Sequence, residues 1–433
     1  MLPRSRPPWC LPALGVGCLL LLVGAGTLLT EPVSPQRTVL ASSTSPSLAG
    51  GQHVLRRITT DTAFRGGRNE GTAIAHGSLT ISTPIGRMSY AGRRWAWSRW
   101  SSAWVDPGQR FTELLPSWNA VTPPGTWIQV QARVRDADGR ISTYKTMGSW
   151  TTRDAAFRRT SAGSQGDTLA SVSTDTLVAA PGVSLAGYQL RVLLLRPATA
   201  TSGTPTLRSV QAVASLPASS TLPTSRRLLP GHTLDVPRYS QMTHQGQYPQ
   251  YGGGGQAWCS PTSLSMILGY YRDLPSAANY AWVSRSYADP WVDHVARMVY
   301  DYGYSGAGNW AFNTAYASVL TGDAFVTRLP SLREAEEFIA AGIPLAASIS
   351  FSPGQLTGAP ISSTAGHLVV ISGFTRVGNV VVNDPAAPSN ASVRRVYDRG
   401  QFERVWQQRS HGTVYVVHDA AHPLPARGSD RSW

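Results

Sequence analysis

Cys259, His367 and Asp384 are the side chains whose types and settings best suit covalent chemistry in this chain. Cys259 lies in the run Gln256-Ala257-Trp258-Cys259-Ser260-Pro261-Thr262-Ser263, just ahead of a stretch that reads as a helix over 261–271. Pro261 suits a first helical turn, which puts Cys259 or Ser260 at the cap. A thiol there meets free backbone N–H groups and the positive end of the helix dipole, and both favour the thiolate. The same N–H groups can help to bind a developing oxyanion. The other two cysteines, Cys10 and Cys18, fall in an N-terminal segment with the marks of export and are expected to be removed with it. A lone thiol in an oxidising compartment needs a reason, and an activated nucleophile supplies one. A buried apolar cysteine is the bland alternative.

A cysteine nucleophile in a hydrolase needs a base, and the base needs a group to orient it. Among nine histidines, His367 opens the apolar run His367-Leu368-Val369-Val370-Ile371-Ser372-Gly373-Phe374. After the turn Arg376-Val377-Gly378 comes a second run, Asn379-Val380-Val381-Val382-Asn383-Asp384. As a hairpin, these strands bring the start of the first beside the end of the second, so His367 and Asp384 become neighbours within a residue or two of register. His294, within a helix, and His411, before the last strand, are the competing bases. The competing reading of the pair itself is a buried, satisfied histidine, with Asp384 opening a turn before Pro385. For the oxyanion donor, Gln241 in Val236-Pro237-Arg238-Tyr239-Ser240-Gln241 is preferred, with Gln256 as the alternative. Gln256 stands only three residues before the cysteine, close for its amide to swing back over the thiolate.

Two kinds of architecture surround these residues. Residues 52–216 read as all-β: short alternating runs at 78–82, 127–134 and 188–195 lie between Gly, Pro, Asn and Asp turns, with no helical period. Asp136-Ala137-Asp138-Gly139 supplies one such turn. Regular strand spacing without helices fits a sandwich of the jelly-roll kind. Seven of the 14 tryptophans fall in this segment, and core filling is the preferred role for them over a sugar-binding platform. Residues 217–231 read as an interdomain linker. Beyond them the pattern changes to helices at 261–271, 291–302 and 331–341, then strands at 345–351, 367–375, 380–384 and 413–418. Helices first and antiparallel strands later signal an α+β domain over 232–422, followed by a loose tail at 423–433.

The length of 433 residues allows two ordinary cores. The formal net charge is +14, and Lys145 is the one lysine among 38 basic residues, a bias that suggests a GC-rich genome. Positive charge favours anionic cell-wall polymers or acidic substrates. Along the chain there is no basic cluster interleaved with aromatics, so nucleic acid is not expected as a partner. Arg4 and Arg6 precede an apolar core from Leu11 to Leu29, read as a signal peptide over 1–30 with cleavage between about Ala25 and Ala41. A Pro/Ser/Thr-rich stretch follows over 31–51. If retained, the core spans about 19 residues, enough to cross a bilayer at the margin. Histidines and acids lack metal-ligand spacing, so neither a metal nor another cofactor is expected.

Taken together, Val-Pro-x-Tyr-Ser-Gln, Trp-Cys-Ser-Pro-Thr-Ser, Gly-His-Leu-Val-Val-Ile and Asn-Asp-Pro resemble the C-thirty-nine-like peptidases over residues 232–418. These are secreted relatives of bacteriocin-leader peptidases within the papain-like superfamily. The stretches from Val292-Asp293-His294 to Asn309-Trp310-Ala311-Phe312-Asn313 resemble actinobacterial members. The resemblance implies a papain-like α+β domain with Cys259 as nucleophile, His367 as base, Asp384 as orienter and Gln241 in the oxyanion role. Trp258, Asn309 and Trp310 are candidates for the substrate cleft. The long insert between Gln241 and Cys259 departs from the compact bacteriocin-processing pattern. No transporter segments follow, so coupled export does not carry over. The expectation is a secreted or cell-wall-associated cysteine peptidase acting on a peptide or protein, its β-domain a candidate to bind cell-wall polymer. The alternatives are a non-catalytic polymer-binding protein and a cell-wall amidase or transpeptidase with the same triad.

Overall fold

A computed structural model describes residues 51–218, 223–427 and 431–433. The expected signal peptide and nearly all of the Pro/Ser/Thr-rich stretch lie outside the described residues, as do 219–222 of the expected linker and 428–430 of the expected tail. Among the described residues, no helix is long and apolar enough to cross a membrane.

The N-terminal half is built from two antiparallel sheets. One has eight strands, with Glu113–Val121 and Thr206–Leu216 at its centre, and the other has six, centred on Arg93–Ser101, Leu185–Pro197 and Trp127–Asp136. Trp127–Asp136 shows the cause in its burial, which alternates along the strand. Ile128, Val130, Ala132 and Val134 are fully buried and meet residues such as Leu114, Val210 and Ala212 of the other sheet in one core. The strand ends in the expected turn, where the Asp136 carboxylate accepts from the backbone N–H of Asp138 and Arg140 at 3.1 and 2.9 Å. Trp95, Trp100, Trp118, Trp127 and Trp150 are buried. Trp97 and Trp104 are half-buried on the outer face of the six-stranded sheet. There the fold does what the linear sequence does not: it interleaves arginines and aromatics across neighbouring strands.

The C-terminal half is a seven-stranded antiparallel sheet in the order Asp323–Arg328, Thr413–His418, Leu345–Phe351, Thr364–Phe374, Val380–Asn383, Arg394–Tyr397, with His232–Thr233 added beside Thr364–Phe374. The expected helices form as Cys259–Tyr270, Pro290–Val299 and Leu332–Ala340. Ser331 caps the last, its hydroxyl accepting from Arg333 N–H at 3.2 Å. Two further helices, Trp310–Thr321 and Arg399–Ser410, escape sequence reading for opposite reasons. Trp310–Thr321 is buried on nearly all sides, so it has no polar stripe to reveal its period. Arg399–Ser410 is polar almost throughout, and it buries Arg399, Glu403 and Ser410 along with Phe402, Val405 and Trp406, so its letters do not mark a buried face.

Two expectations are corrected. The halves do not have separate cores, because residues Gly50–Trp433 form a single compact unit and one apolar cluster runs through both. On Glu113–Val121 and Thr206–Leu216 the alternation disappears because both faces are covered. The inner face packs on the other sheet, and the polar outer face meets Asp323–Arg328. Across that joint Ser117 accepts from Val326 N–H at 3.2 Å, Asn119 donates to Asp323 at 2.8 Å, and Arg328 donates to Ser215 at 2.8 Å. Nor are the described residues at the end of the C-terminal tail loose. The Arg431 carbonyl accepts from Leu55 N–H at 2.8 Å, and Trp433 is buried against Phe338 with ring centroids 5.1 Å apart. The described end of the linker is also pinned: Leu229 N–H donates to Glu336 at 2.7 Å and the Ser225 carbonyl accepts from Arg399 at 2.7 Å. Cleavage within 217–231 should therefore leave the two parts bound together, migrating as one species on native size exclusion. Release of a folded C-terminal fragment would show that the joint is weaker than its contacts imply.

Candidate active site

The Cys259–Tyr270 helix packs against the Thr364–Phe374 strand, and Ser263 fastens one to the other by donating to the Leu368 carbonyl at 3.0 Å. Cys259 is its first residue and is half-buried. Burial pushes its thiol pKa up. The His367 imidazole and the backbone N–H groups of Leu368 and Ser260 push it down and prevail. The side chain of Ser260 faces away, sharing a 2.8 Å hydrogen bond with the Tyr415 hydroxyl.

The hairpin that carries His367 and Asp384 pairs Val370 with Asn383 and Ile371 with Val382, and the register shifts before Gly373 pairs with Val381. Continued past Asn383, this register leaves Asp384 on the same face as His367. His367 Nε2 lies 2.8 Å from Asp384 Oδ1, and the imidazole also interacts with the Cys259 thiol. Burial lowers the imidazole pKa, but the Asp384 carboxylate and the thiol outweigh it and raise it to about 10. Asp384 is fully buried, which disfavours its charge; His367, the Tyr397 hydroxyl and the Ala386 N–H nevertheless hold it below the usual carboxylate range. An imidazolium between a thiolate and a carboxylate is the charge state these neighbours favour at neutral pH. His367 itself is buried, while Ala365 and Gly366 just before it are exposed, so the site opens to solvent on that side.

Tyr397 is the partner that sequence reasoning missed. Its hydroxyl donates to Asp384 Oδ2 at 2.7 Å, while Ala386 N–H donates to Oδ1 at 3.0 Å, so both carboxylate oxygens are engaged. The Tyr397 ring stacks on Phe402 at 6.1 Å, which fixes its direction. Removing the hydroxyl leaves Oδ2 without its donor in a buried setting. Tyr397→Phe should lower kcat/KM by about ten-fold with KM nearly unchanged, since the lost bond is to a charged acceptor. Steady-state kinetics beside a thermal melt would separate this from a folding defect.

Gln241 begins the turn Gln241–His244, which docks on the loop after Asp384. Its N–H donates to the Pro385 carbonyl at 2.9 Å, and Ser240 N–H donates to Asn390 at 2.7 Å. The Gln241 side chain is buried, and its amide oxygen has no hydrogen-bond partner among the described residues. Gln256 is exposed, in the turn Gly255–Ala257. His294 sits beside Trp282 at 3.2 Å, its pKa pushed down to about 4 by burial and then by Arg297 and Arg159. His411 ends the Arg399–Ser410 helix near Glu113. Neither is the imidazole that interacts with Cys259.

Two of the three expected cleft residues, Trp258 and Asn309, are corrected. Trp258 is wholly buried, with its indole N–H donating to the Tyr251 carbonyl at 2.8 Å, so it presents no surface to a substrate. Asn309 is wholly buried as the cap of Trp310–Thr321, accepting from Phe312 N–H at 3.1 Å and donating to Asp301 at 3.0 Å. Trp310 is half-buried, and its backbone N–H donates to Asp175 of the N-terminal half at 2.8 Å. A second buried imidazole–carboxylate contact, His244 Nδ1 to Asp293 Oδ2 at 3.1 Å, also went unforeseen. The helical position of Asp293 in Val292-Asp293-His294 was its one sequence signal.

Residues 233–414 match the family described as Peptidase_C39 like, and residues 54–215 match the Peptidase C39 N-terminal domain. No curated protein matches the chain. Among solved structures, accessory secretory protein 1,2 and 3 in Streptococcus pneumoniae is 14% identical, covering 37% of this chain and 96% of that chain, with a TM-score of 0.20. The laminarinase from Rhodothermus marinus is 10% identical, covering 40% of this chain and 92% of that chain, with a TM-score of 0.18. Scores this low carry no argument about fold or activity.

Proposed function

The chain belongs to the C39-like peptidases, and on that premise we propose that it is a papain-like cysteine peptidase working through Cys259, His367 and Asp384. One observation carries the reading: His367 lies 2.8 Å from the Asp384 carboxylate and interacts with the Cys259 thiol, so the three groups act in series. The thiolate adds to a peptide carbonyl carbon, and the carbonyl π electrons move onto oxygen. That oxyanion is met by backbone N–H at the start of the Cys259–Tyr270 helix and by the Gln241 amide. His367 passes its proton to the amine as the C–N bond breaks, leaving a thioester on Cys259. A water then gives its proton to His367 and attacks the thioester; the C–S bond breaks, which releases the carboxylic acid and restores the thiolate beside the imidazolium. Asp384 keeps the imidazole aligned and favours its charged form without taking the proton.

Export rests on Arg4 and Arg6 ahead of the apolar run Leu11 to Leu29, so the site of action is outside the cell or at its wall. Fluorescent casein provides the test. The purified protein should release fragments, and both iodoacetamide and Cys259→Ala should stop it. Release of product from purified peptidoglycan with none from casein would instead make the chain a wall amidase. No turnover of either would overturn the catalytic reading.

A further inference from the structure

On the N-terminal half, the outer face of the six-stranded sheet is polar, basic and aromatic at once. Successive outward positions on three paired strands supply it: Trp97 and Arg99, Gln129 to Arg133, and Gln189 to Leu193, with Arg191 opposite both Ser101 and Gln131. A depression of about 420 Å³ lies there, lined by Arg87, Arg99, Arg191, Trp97 and Gln131 among others. Arg99 is held by Glu70 in a two-point contact at 2.7 Å for each bond. Arg87 and Arg191 form no ion pair among the described residues. Burial, and then the like charges of Arg99 and Arg133, hold the Arg191 guanidinium below its usual value. A bound anion would relieve that crowding.

We propose that this face binds a carboxylate-bearing polysaccharide, an independent function of the N-terminal half. Guanidinium groups present paired donors that match carboxylate oxygens, and the Gln131 side chain that lines the depression, its amide N–H held by Gln129 at 3.0 Å, keeps its amide oxygen to accept from a sugar hydroxyl. Nucleic acid fits less well, because the rings that would stack on bases are already covered. Arg191 lies 3.5 Å and Arg133 4.6 Å over the Tyr144 ring, and Arg133 and Arg135 lie 5.1 and 5.2 Å from the Trp104 ring. An acidic peptide would gain little backbone pairing, because these strands are bonded on both sides and offer a face, not an edge.

Affinity electrophoresis of the full chain through gels containing polygalacturonate tests the proposal. The wild type should be retarded, and less so as salt rises. The double variant Arg87→Gln, Arg191→Gln should bind at least about ten-fold more weakly, since two charge-assisted contacts are lost. A charge-matched control, Arg208→Gln with Arg404→Gln, places the same change on exposed arginines of the other sheet and of the C-terminal half, and should bind as the wild type does. Thermal melts of both variants should match the wild type. Retardation by neutral dextran as strong as by polygalacturonate would overturn the proposal, as would equal loss in the control. Tighter binding of single-stranded DNA or of polyglutamate through Arg87 and Arg191 would also overturn it, assigning the face to that polymer instead.

Discussion

His367→Ala should cut turnover by about 10³-fold or more and leave the fold intact, because it removes the base and opens no large cavity. The same change should reach the thiol. In the wild type the imidazole is the main influence holding the Cys259 pKa down, and burial pushes the other way. Iodoacetamide should therefore alkylate Cys259 well below pH 8, with the rate falling only as acid reprotonates the sulfur. Without the imidazole, burial is left as the dominant influence, and the midpoint should move above the ordinary thiol value of about 8.5. Asp384→Asn should act more weakly on turnover, since an amide can still orient the ring. It also removes the charge that chiefly raises His367, so the imidazole should titrate at lower pH. A pH profile of alkylation for the three proteins decides the matter. An unchanged midpoint in His367→Ala would mean that the imidazole does not govern the thiol, and the proposed mechanism would lose its base.

Much of this site was legible because its parts sit at the ends of strongly patterned elements. A helix start, a strand start and a hairpin end are positions that a period and a turn can mark, so Cys259, His367 and Asp384 could be brought together before any coordinates. Tyr397 could not. It lies on the four-residue strand Arg394–Tyr397, too short to show alternation, and its role depends on that strand pairing Val380 with Tyr397. Trp258 and Asn309 were misread for a related reason. Residue type alone does not separate a cleft residue from a packed one: here the indole is buried with its N–H on the Tyr251 carbonyl, and the amide caps a helix. The arginine and aromatic face was invisible for the same cause: its members are spread over residues 87 to 193 and meet only across strands.

The joint between the halves was hidden differently. Ser117, Asn119, Gln211 and Ser215 occupy the positions that solvent-facing residues would take in a free-standing sandwich, so their polarity favoured an exposed face. Instead each is buried under, or bonded to, the C-terminal half. Polar residues on a covered sheet face are satisfied across the joint, and a pattern of polar and apolar letters does not distinguish the two cases.

Phe312→Ala should consequently be among the most damaging single changes in the molecule, at about 3–5 kcal/mol for a fully buried phenylalanine. Phe312 projects from the Trp310–Thr321 helix of the C-terminal half, and its ring centroid lies 6.1 Å from that of Trp118 and 5.4 Å from that of Trp150 in the N-terminal half. Gly148 makes room for this contact: a Cβ there would come within 2.8 Å of both the Phe312 and the Trp118 rings. Gly148→Ala should therefore destabilise by overpacking, typically by about 1–3 kcal/mol. The double change Gly148→Ala, Phe312→Leu should cost less than the sum of its parts, because the smaller side chain vacates the space the new methyl needs. Calorimetry reads both effects. Each variant should still melt in a single transition, with the N-terminal tryptophan signal and the turnover lost together. Two separated transitions in Phe312→Ala would show that the halves hold together through the polar contacts alone. Strict additivity in the double variant would show that Gly148 and Phe312 do not share the space the structure gives them.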